Sequence, residues 1–149
     1  MVKQVAVNPF QSLRDYEDFV YTLQQNYPSV KSSSLIVIRR GRYVARLQGQ
    51  LTFEFGYQIT VSERLSQEDA GVVIETYGYE LWHHGEKIAW YDSQPHPNDP
   101  SLASTHPHHK HIPPDIKHHR IPAPNMSFNH PNLPALIQDV AELIKNEES

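Results

Sequence analysis

Residues 72–92, VVIETYGYELWHHGEKIAWYD, carry the clearest strand pattern of the sequence. Val72 to Trp82 and Lys87 to Asp92 are rich in β-branched and aromatic residues, which favour strands. His83-His84-Gly85-Glu86 lies between them and supplies a short turn that contains a glycine. The stretch therefore predicts an antiparallel hairpin.

A second hairpin is predicted upstream. Leu35 to Arg39 and Arg42 to about Leu51 carry strand-forming residues, and Arg40-Gly41 separates them with a glycine that accepts a positive φ. Thr52 to Leu65 continues as a strand. The two hairpins and the connecting strand predict an antiparallel sheet of about five strands over residues 35–92.

Two amphipathic helices flank the sheet. Ser12 followed by Asp15 is a capping pattern, and the helical periodicity after it predicts a helix over residues 12–27. Asn132 is a good N-cap before a strong apolar stripe, which predicts a second helix over residues 132–146. A sheet with one face to bury needs these helices as its cover, so the predicted fold class is α+β in two layers. The 149 residues suit a single domain.

Histidine and proline gather between the sheet and the last helix. Eight of the ten histidines and ten of the twelve prolines fall within Pro95 to Pro134, a segment poor in apolar residues. A long His/Pro-rich loop is predicted over residues 93–131, with Lys117 to Ile121 as the one candidate for a short edge strand. Loops of this length in compact domains are usually functional or disordered, and prolines beside histidines favour order.

The densest part of this segment is Thr105-His106-Pro107-His108-His109-Lys110-His111. Alternate side chains of an extended chain share a face, so His109 and His111 converge on one point and His106 and His108 on another. Imidazole titrates near neutrality, and nearby cations stabilise the charge on a phosphorane. The run predicts metal-independent phosphodiester cleavage, in which two of the histidines act as base and acid. The candidate residues are His106, His108, His109, His111, Lys110, Lys117 and Arg120.

Two other interpretations of the histidines remain. Pairs of the form His-x-His are suitable ligands for a divalent metal ion, and His-rich tracts are a recognised but weak signal for one. In the other interpretation the segment packs over the sheet as an ordered surface, and the protein is a non-catalytic binding module. The leading interpretation requires no cofactor and no metal.

A basic hairpin precedes the aromatic one. Lys31 to Phe53 carries a local charge of +5 in a chain of net charge −4 and contains no acidic residue. Such a stripe is typical of a phosphate-binding surface, although edge charges that prevent aggregation explain it equally well. Arg40, Arg42 and Arg46 share a strand parity, which predicts one basic face. The candidate nucleic-acid-binding residues are Arg39, Arg40, Arg42 and Arg46.

The aromatic residues of the second hairpin lead directly into the His segment. Rings beside cations stack on unpaired bases in many complexes with single-stranded RNA. Core packing of the sheet is the favoured prediction for most of them. The residues concerned are Tyr77, Tyr79, Trp82, Trp90 and Tyr91.

The sequence Trp90-Tyr91-Asp92-x-x-Pro95-His96-Pro97, followed by the run from Thr105 to His111, resembles the signature of the TumE-type toxin family of prokaryotic toxin–antitoxin systems. The resemblance runs from about Val72 to His111. It implies a small cytoplasmic toxin, encoded beside a DNA-binding antitoxin that neutralises it by direct contact. The residues that match the motif, and to which the resemblance points, are Asp92, His96, His108, His109 and His111.

Together these patterns predict the toxin of a toxin–antitoxin pair, a metal-independent endoribonuclease with RNA as its substrate and an antitoxin as its partner. The metal-dependent alternative uses the same histidines with Asp92. The longest apolar run, Leu35 to Ile38, is far too short to cross a membrane, and cysteine is absent, so we expect a soluble cytoplasmic protein. Whether the protein forms a homodimer is left open.

Overall fold

The computed structural model describes residues 8–148; residues 1–7 and 149, which the predicted single domain includes, lie outside that part. The helices are α1 (Leu13–Tyr21), α2 (Leu23–Asn26) and α3 (Leu133–Glu148). The strands are β1 (Ser32–Ser33), β2 (Ile36–Arg39), β3 (Val44–Thr52), β4 (Tyr57–Glu68), β5 (Gly71–His83), β6 (Glu86–Asp92), β7 (His109–His111) and β8 (Arg120–Pro122). Two 3-10 turns cover Glu54–Gly56 and Pro100–Thr105.

All the strands belong to one antiparallel sheet in the order β1-β3-β4-β5-β6-β7-β8, with β2 also paired to β3. The α+β class and the antiparallel sheet are confirmed. The predicted number of about five strands is wrong, because the described chain forms eight. The additional strands β1, β7 and β8 are two or three residues long, and none of them carries the apolar alternation by which a strand is recognised in a sequence.

Residues 93–131 do not form the uniform loop that the sequence predicts. They contain a 3-10 turn, β7 and β8, and β8 overlaps the predicted edge strand only at its end. Thr105 ties this segment together, because its hydroxyl donates to the His108 carbonyl at 2.7 Å and accepts from the Ala123 N–H at 3.1 Å. Proline and histidine thus occur in short paired strands that continue the sheet beyond β6.

The N-terminal helix begins where its capping pattern predicts. Ser12 is the N-cap, and its hydroxyl accepts from the Asp15 N–H at 3.0 Å. The predicted single helix over residues 12–27 is interrupted at Thr22, whose hydroxyl donates to the Asp18 carbonyl at 2.7 Å. A side chain that bonds to the backbone in this way competes with the regular helical pattern.

Both hairpin turns lie at the predicted positions. Gly41 has a φ of 84° between β2 and β3, and His84 and Gly85 have φ values of 50° and 79° between β5 and β6. The strand predicted over Thr52 to Leu65 is instead divided between β3 and β4 by the 3-10 turn at Glu54–Gly56. This division makes β3 and β4 a hairpin as well, which the sequence did not predict.

The two faces of the sheet have different surroundings. Alternate side chains of β4 are buried under α1 and α3, and we call this side the helix-covered face. At its centre the Glu63 carboxylate accepts from Tyr16 Oη at 2.5 Å and from Tyr79 Oη. Asn132, directly before α3, donates to Tyr79 Oη at 3.0 Å. The opposite side, which we call the open face, carries mostly polar side chains.

Candidate functional site

Three ionisable side chains converge on the open face at the junction of β6 and β7. The register pairs Asp92 with His109 and Trp90 with His111, so the two histidines project on the same side as Asp92. Asp92 Oδ1 lies 2.8 Å from His109 Nε2, and Asp92 Oδ2 lies 3.2 Å from His111 Nε2. The two Nε2 atoms are 3.1 Å apart. We call this group the Asp-His-His cluster.

The orientation of each ring is fixed by its surroundings. His109 Nδ1 lies 3.0 Å from the Pro107 carbonyl oxygen, which can only accept, so Nδ1 is the donor. The His111 ring stacks on Trp90 with 4.3 Å between centroids, and its buried Nδ1 makes no short hydrogen bond within residues 8–148, although the Ile116 backbone lies near enough to favour the charged ring. The Gln94 N–H donates to Asp92 Oδ1 at 3.0 Å. Both imidazoles therefore turn Nε2 toward the carboxylate.

The cluster is shielded from water. The exposed fractions of Asp92, His109 and His111 are 7%, 1% and 2%. Burial lowers the pKa of His111, and the Asp92 carboxylate opposes that shift by favouring the charged ring. Groups of this kind are rarely buried together unless they bind a cation or do chemistry.

Two further predicted residues lie at the rim of the cluster. The His96 ring packs edge-on against His109, with 4.8 Å between centroids. Burial, together with the charges of Arg120 and His109, lowers the pKa of His96. Arg120 pairs with His111 across β7 and β8, and its buried Nε has no hydrogen bond among the described residues. The guanidinium is thus held beside the cluster with donor capacity to spare.

The remaining residues of the histidine run lie elsewhere. His108 faces the helix-covered side, where its Nδ1 lies 2.6 Å from Tyr77 Oη and its ring packs on Phe128. Lys110 projects opposite to its neighbouring histidines and places its ammonium 4.9 Å from the centre of the Tyr91 ring. His106 is exposed in the turn before β7. His109 and His111 therefore lie together, as the alternation predicts, whereas His106, His108 and Lys110 lie outside the Asp-His-His cluster.

The arginines of the basic hairpin also lie in different places and do not form one surface. Arg39 lies on the helix-covered side and forms an ion pair with Glu17 of α1. Arg40 and Arg42 lie in the turn between β2 and β3. Because side chains alternate between two faces only within a strand, the prediction that Arg40, Arg42 and Arg46 share one face is wrong. Arg46 is exposed on the open face.

Sequence reasoning missed Arg64, another cation on the open face. It lies directly opposite Arg46 in the β3–β4 register and forms a 3.3 Å ion pair with Glu75. The signal that would have found it is the alternation of β4, where Arg64 stands between the buried Glu63 and Leu65. Arg46 and Arg64 together form a basic pair on the open face.

The aromatic residues separate by face. The three tyrosines Tyr77, Tyr79 and Tyr91 are buried on the helix-covered side. Trp82 and Trp90 are half-buried on the open face, and the Lys87 ammonium lies 5.5 Å and 5.2 Å from their ring centres. Core packing is therefore the role of the tyrosines, whereas the tryptophans lie on the same face as the Asp-His-His cluster.

Fold and site together define a class of protein: a one-sheet α+β domain with a buried histidine and aspartate cluster on the face that its helices leave open. A family model described as Toxin TumE matches residues 20–144. The chain belongs to this family and is the toxin component of a toxin–antitoxin system, which implies an antitoxin as its partner.

Two further comparisons, with curated proteins and with solved structures, gave no match. Within residues 8–148, the helices are too short or too polar to cross a membrane.

Proposed function

We propose that this toxin is an endoribonuclease that cleaves RNA at the Asp-His-His cluster. The observation that carries the proposal is the convergence of Asp92, His109 and His111 on the polar face of the sheet, beside Arg120, whose buried Nε has no hydrogen bond among the described residues. A buried group of ionisable side chains costs folding free energy, and such groups are concentrated at functional sites. A cation next to them suits an anionic substrate.

The reaction we propose is transesterification at phosphorus. The 2′-oxygen of one nucleotide attacks the adjacent phosphorus, and the bond from phosphorus to the 5′-oxygen breaks. The attacking hydroxyl loses a proton and the departing 5′-oxygen gains one, so the products carry a 2′,3′-cyclic phosphate and a 5′-hydroxyl. Catalysis of this step requires proton transfer and stabilisation of the charge on the phosphoryl oxygens.

Arg120 and His96 are the rim residues that suit these two tasks. The Arg120 guanidinium presents planar donors that match two phosphoryl oxygens at once. His96 has a ring nitrogen available to the substrate. In this mechanism His96 transfers one of the two protons, the one lost by the 2′-hydroxyl or the one gained by the 5′-oxygen, and water transfers the other. His109 and His111 cannot take this part directly, because both Nε2 atoms face Asp92.

The open face supplies a path along which RNA would lie. One row of paired residues crosses the sheet from Gln48 through Ser62 and Gly78 to Asp92 and His109. This row spans four strand spacings, about 19 Å, between β3 and β7. The basic pair lies beside the start of the row, and the two tryptophans lie near its end, where they would stack on unpaired bases.

The rival function is a non-catalytic module that binds a partner through the same segment. A surface that only binds a partner protein would need apolar contacts. A buried carboxylate with two imidazoles adds an energetic cost and no contact area to such a surface. The two functions differ in a simple observable, which is whether RNA is shortened.

Cleavage of a labelled RNA by the purified toxin, freed from its antitoxin, tests the proposal. Arg120→Met is the informative variant, and Lys110→Met is its matched control, because both remove a cation from the same segment but Lys110 lies on the other face. We expect Arg120→Met to slow cleavage by about 100-fold and Lys110→Met to leave the rate unchanged. Intact RNA after incubation with the folded wild-type toxin, or equal rates for wild type and Arg120→Met, would overturn the proposal.

A further inference from the structure

We propose that Asp92, His109 and His111 bind one divalent transition-metal ion of the zinc class. Metal binding is inferred from the geometry of the three side chains alone. Only the role of the metal in RNA cleavage rests on the proposed function. The site lies where β6 and β7 pair, so two adjacent strands fix the relative positions of all three side chains.

The separations of the donor atoms match those around a metal ion. One donor atom from each of the three residues lies within 4.8 Å of the other two. The two imidazole nitrogens are 3.1 Å apart, Asp92 Oδ2 lies 3.2 Å from His111 Nε2, and Oδ1, the other carboxylate oxygen, lies 2.8 Å from His109 Nε2. Ligands at about 2.0 to 2.1 Å from zinc lie about 3.3 Å apart in a tetrahedron and about 2.9 Å apart at right angles. The separations of 3.2 Å between Asp92 Oδ2 and His111 Nε2 and of 3.1 Å between the two nitrogens fall within that range, so a small rotation of the Asp92 carboxylate brings three donor atoms around one ion.

The hydrogen bonds of the cluster favour positive charge at its centre. His109 Nδ1 donates its hydrogen to the Pro107 carbonyl, so the neutral ring presents only a lone pair at Nε2. That lone pair faces a carboxylate oxygen at 2.8 Å, and two acceptors repel each other unless positive charge lies between them. The same holds for His111 Nε2 and the other carboxylate oxygen if the His111 ring carries its proton on Nδ1.

Two protons stabilise this arrangement of acceptors less well than one metal ion does. One proton between His109 and Asp92 and a second on His111 Nε2 would remove the repulsion, but the second would leave the buried His111 Nδ1 as an acceptor without a donor. One metal ion replaces both protons and uses all three groups in the deprotonated forms that ligands adopt.

Groups behind the cluster hold the ligands as a metal site requires. The Pro107 carbonyl orients His109, the Gln94 N–H binds Asp92 Oδ1, and the Trp90 ring fixes the plane of His111. Such outer contacts set the tautomer and direction of each ligand. Asp92 Oδ2 is left as the oxygen most available to the ion.

The donor set selects the kind of metal. Two imidazoles with one carboxylate suit zinc and its neighbours in the transition series, whereas magnesium prefers oxygen donors and retains its waters. Three protein ligands leave a further coordination position, as in catalytic zinc sites. His96 and Arg120 lie at the rim, so a phosphoryl oxygen in that position would also meet the guanidinium.

Calorimetric titration of the untagged, chelator-treated toxin with Zn²⁺ alone tests the inference. We expect one Zn²⁺ per chain, weaker binding of Mg²⁺ by at least about 100-fold, and a loss of at least about 100-fold in His111→Gln. His118→Gln is the matched control, because His118 is an exposed histidine of the same segment, and its affinity should equal that of the wild type. Asp92→Asn, which keeps the shape of the side chain, should lose affinity even if His111→Gln fails to fold.

The outcomes separate this inference from the proposed function. Absence of saturable Zn²⁺ binding, or equal affinity in the folded wild type and Asp92→Asn, would overturn the metal site. If metal-free toxin cleaves RNA as fast as toxin loaded with zinc, the nuclease stands and the metal is not its cofactor. If Zn²⁺ binds as expected but RNA stays intact, the metal site stands and the proposed function is wrong.

Discussion

Replacing Glu63 with glutamine should change how the stability of the toxin depends on pH. Glu63 is fully buried on the helix-covered face, and among residues 8–148 its side-chain partners are the hydroxyls of Tyr16 and Tyr79, with no cation in contact. Burial raises the pKa of Glu63 from 4.5 to about 7, although the two hydroxyl groups lower it in part. The folded protein therefore holds a proton that the unfolded chain releases more easily.

The sign and size of the effect follow from that difference in pKa. Below pH 4.5 the carboxyl is protonated in both states and contributes no dependence. As the pH rises from 4.5 to about 7, the unfolded chain ionises first, so the free energy of unfolding falls. The complete loss is about 3 kcal/mol, of which about 2 to 3 kcal/mol falls between pH 5 and pH 8. Glutamine has no proton to release and removes this loss.

Urea denaturation at pH 5 and pH 8, followed by circular dichroism, measures the effect. The free energy of unfolding of Glu63→Gln minus that of the wild type should increase by about 2 to 3 kcal/mol from the lower to the higher pH. Glu54→Gln is the control, because Glu54 is an exposed carboxylate, and its difference should be nearly constant. A Glu63→Gln difference that is also constant, or that decreases with pH, would show that Glu63 does not have a raised pKa in the folded protein.

Two further changes probe contacts within the fold, one of them next to the histidine run. Tyr77→Phe removes the 2.6 Å hydrogen bond to His108 and should lower the free energy of unfolding by about 1 kcal/mol without slowing RNA cleavage; slower cleavage by the folded variant would show that His108 matters to the site. Gly49→Ala would place a methyl group 2.5 Å from the Ser34 carbonyl oxygen at a φ of 140°, so urea denaturation should show a loss of about 2 kcal/mol or more. Wild-type stability in Gly49→Ala would show that β2 and β3 separate easily.

Much of the fold was predictable because its elements carry local signals. Ser12 caps α1 as its pattern predicts, and Gly41 and Gly85 adopt the positive φ values that their hairpins need. The apolar stripe after Asn132 forms α3, but the Asn132 side chain bonds to Ser127 and Tyr79 and does not cap the helix. Tyr79 is distant from Asn132 in the sequence and Ser127 lies in the irregular segment before the helix, so no helical pattern reports these contacts.

Half of the candidate site was predictable and half was not. Strand alternation places His109 and His111 together, and the same alternation, applied to Lys110, would have placed its side chain on the other face. The pairing of β7 with β6, which brings Asp92 to the histidines, had no signal in the residues of β7. It depends on backbone hydrogen bonds, for which almost any residue suffices.

Growth arrest on expression of Asp92→Asn tests most directly whether the Asp-His-His cluster is the site at which this toxin acts. The variant should accumulate as folded protein and leave growth unaffected, whereas the wild type and Asp115→Asn, a change at an exposed aspartate of the same segment, should both arrest growth unless the antitoxin is present. Arrest by Asp92→Asn as strong as that by the wild type would contradict the account.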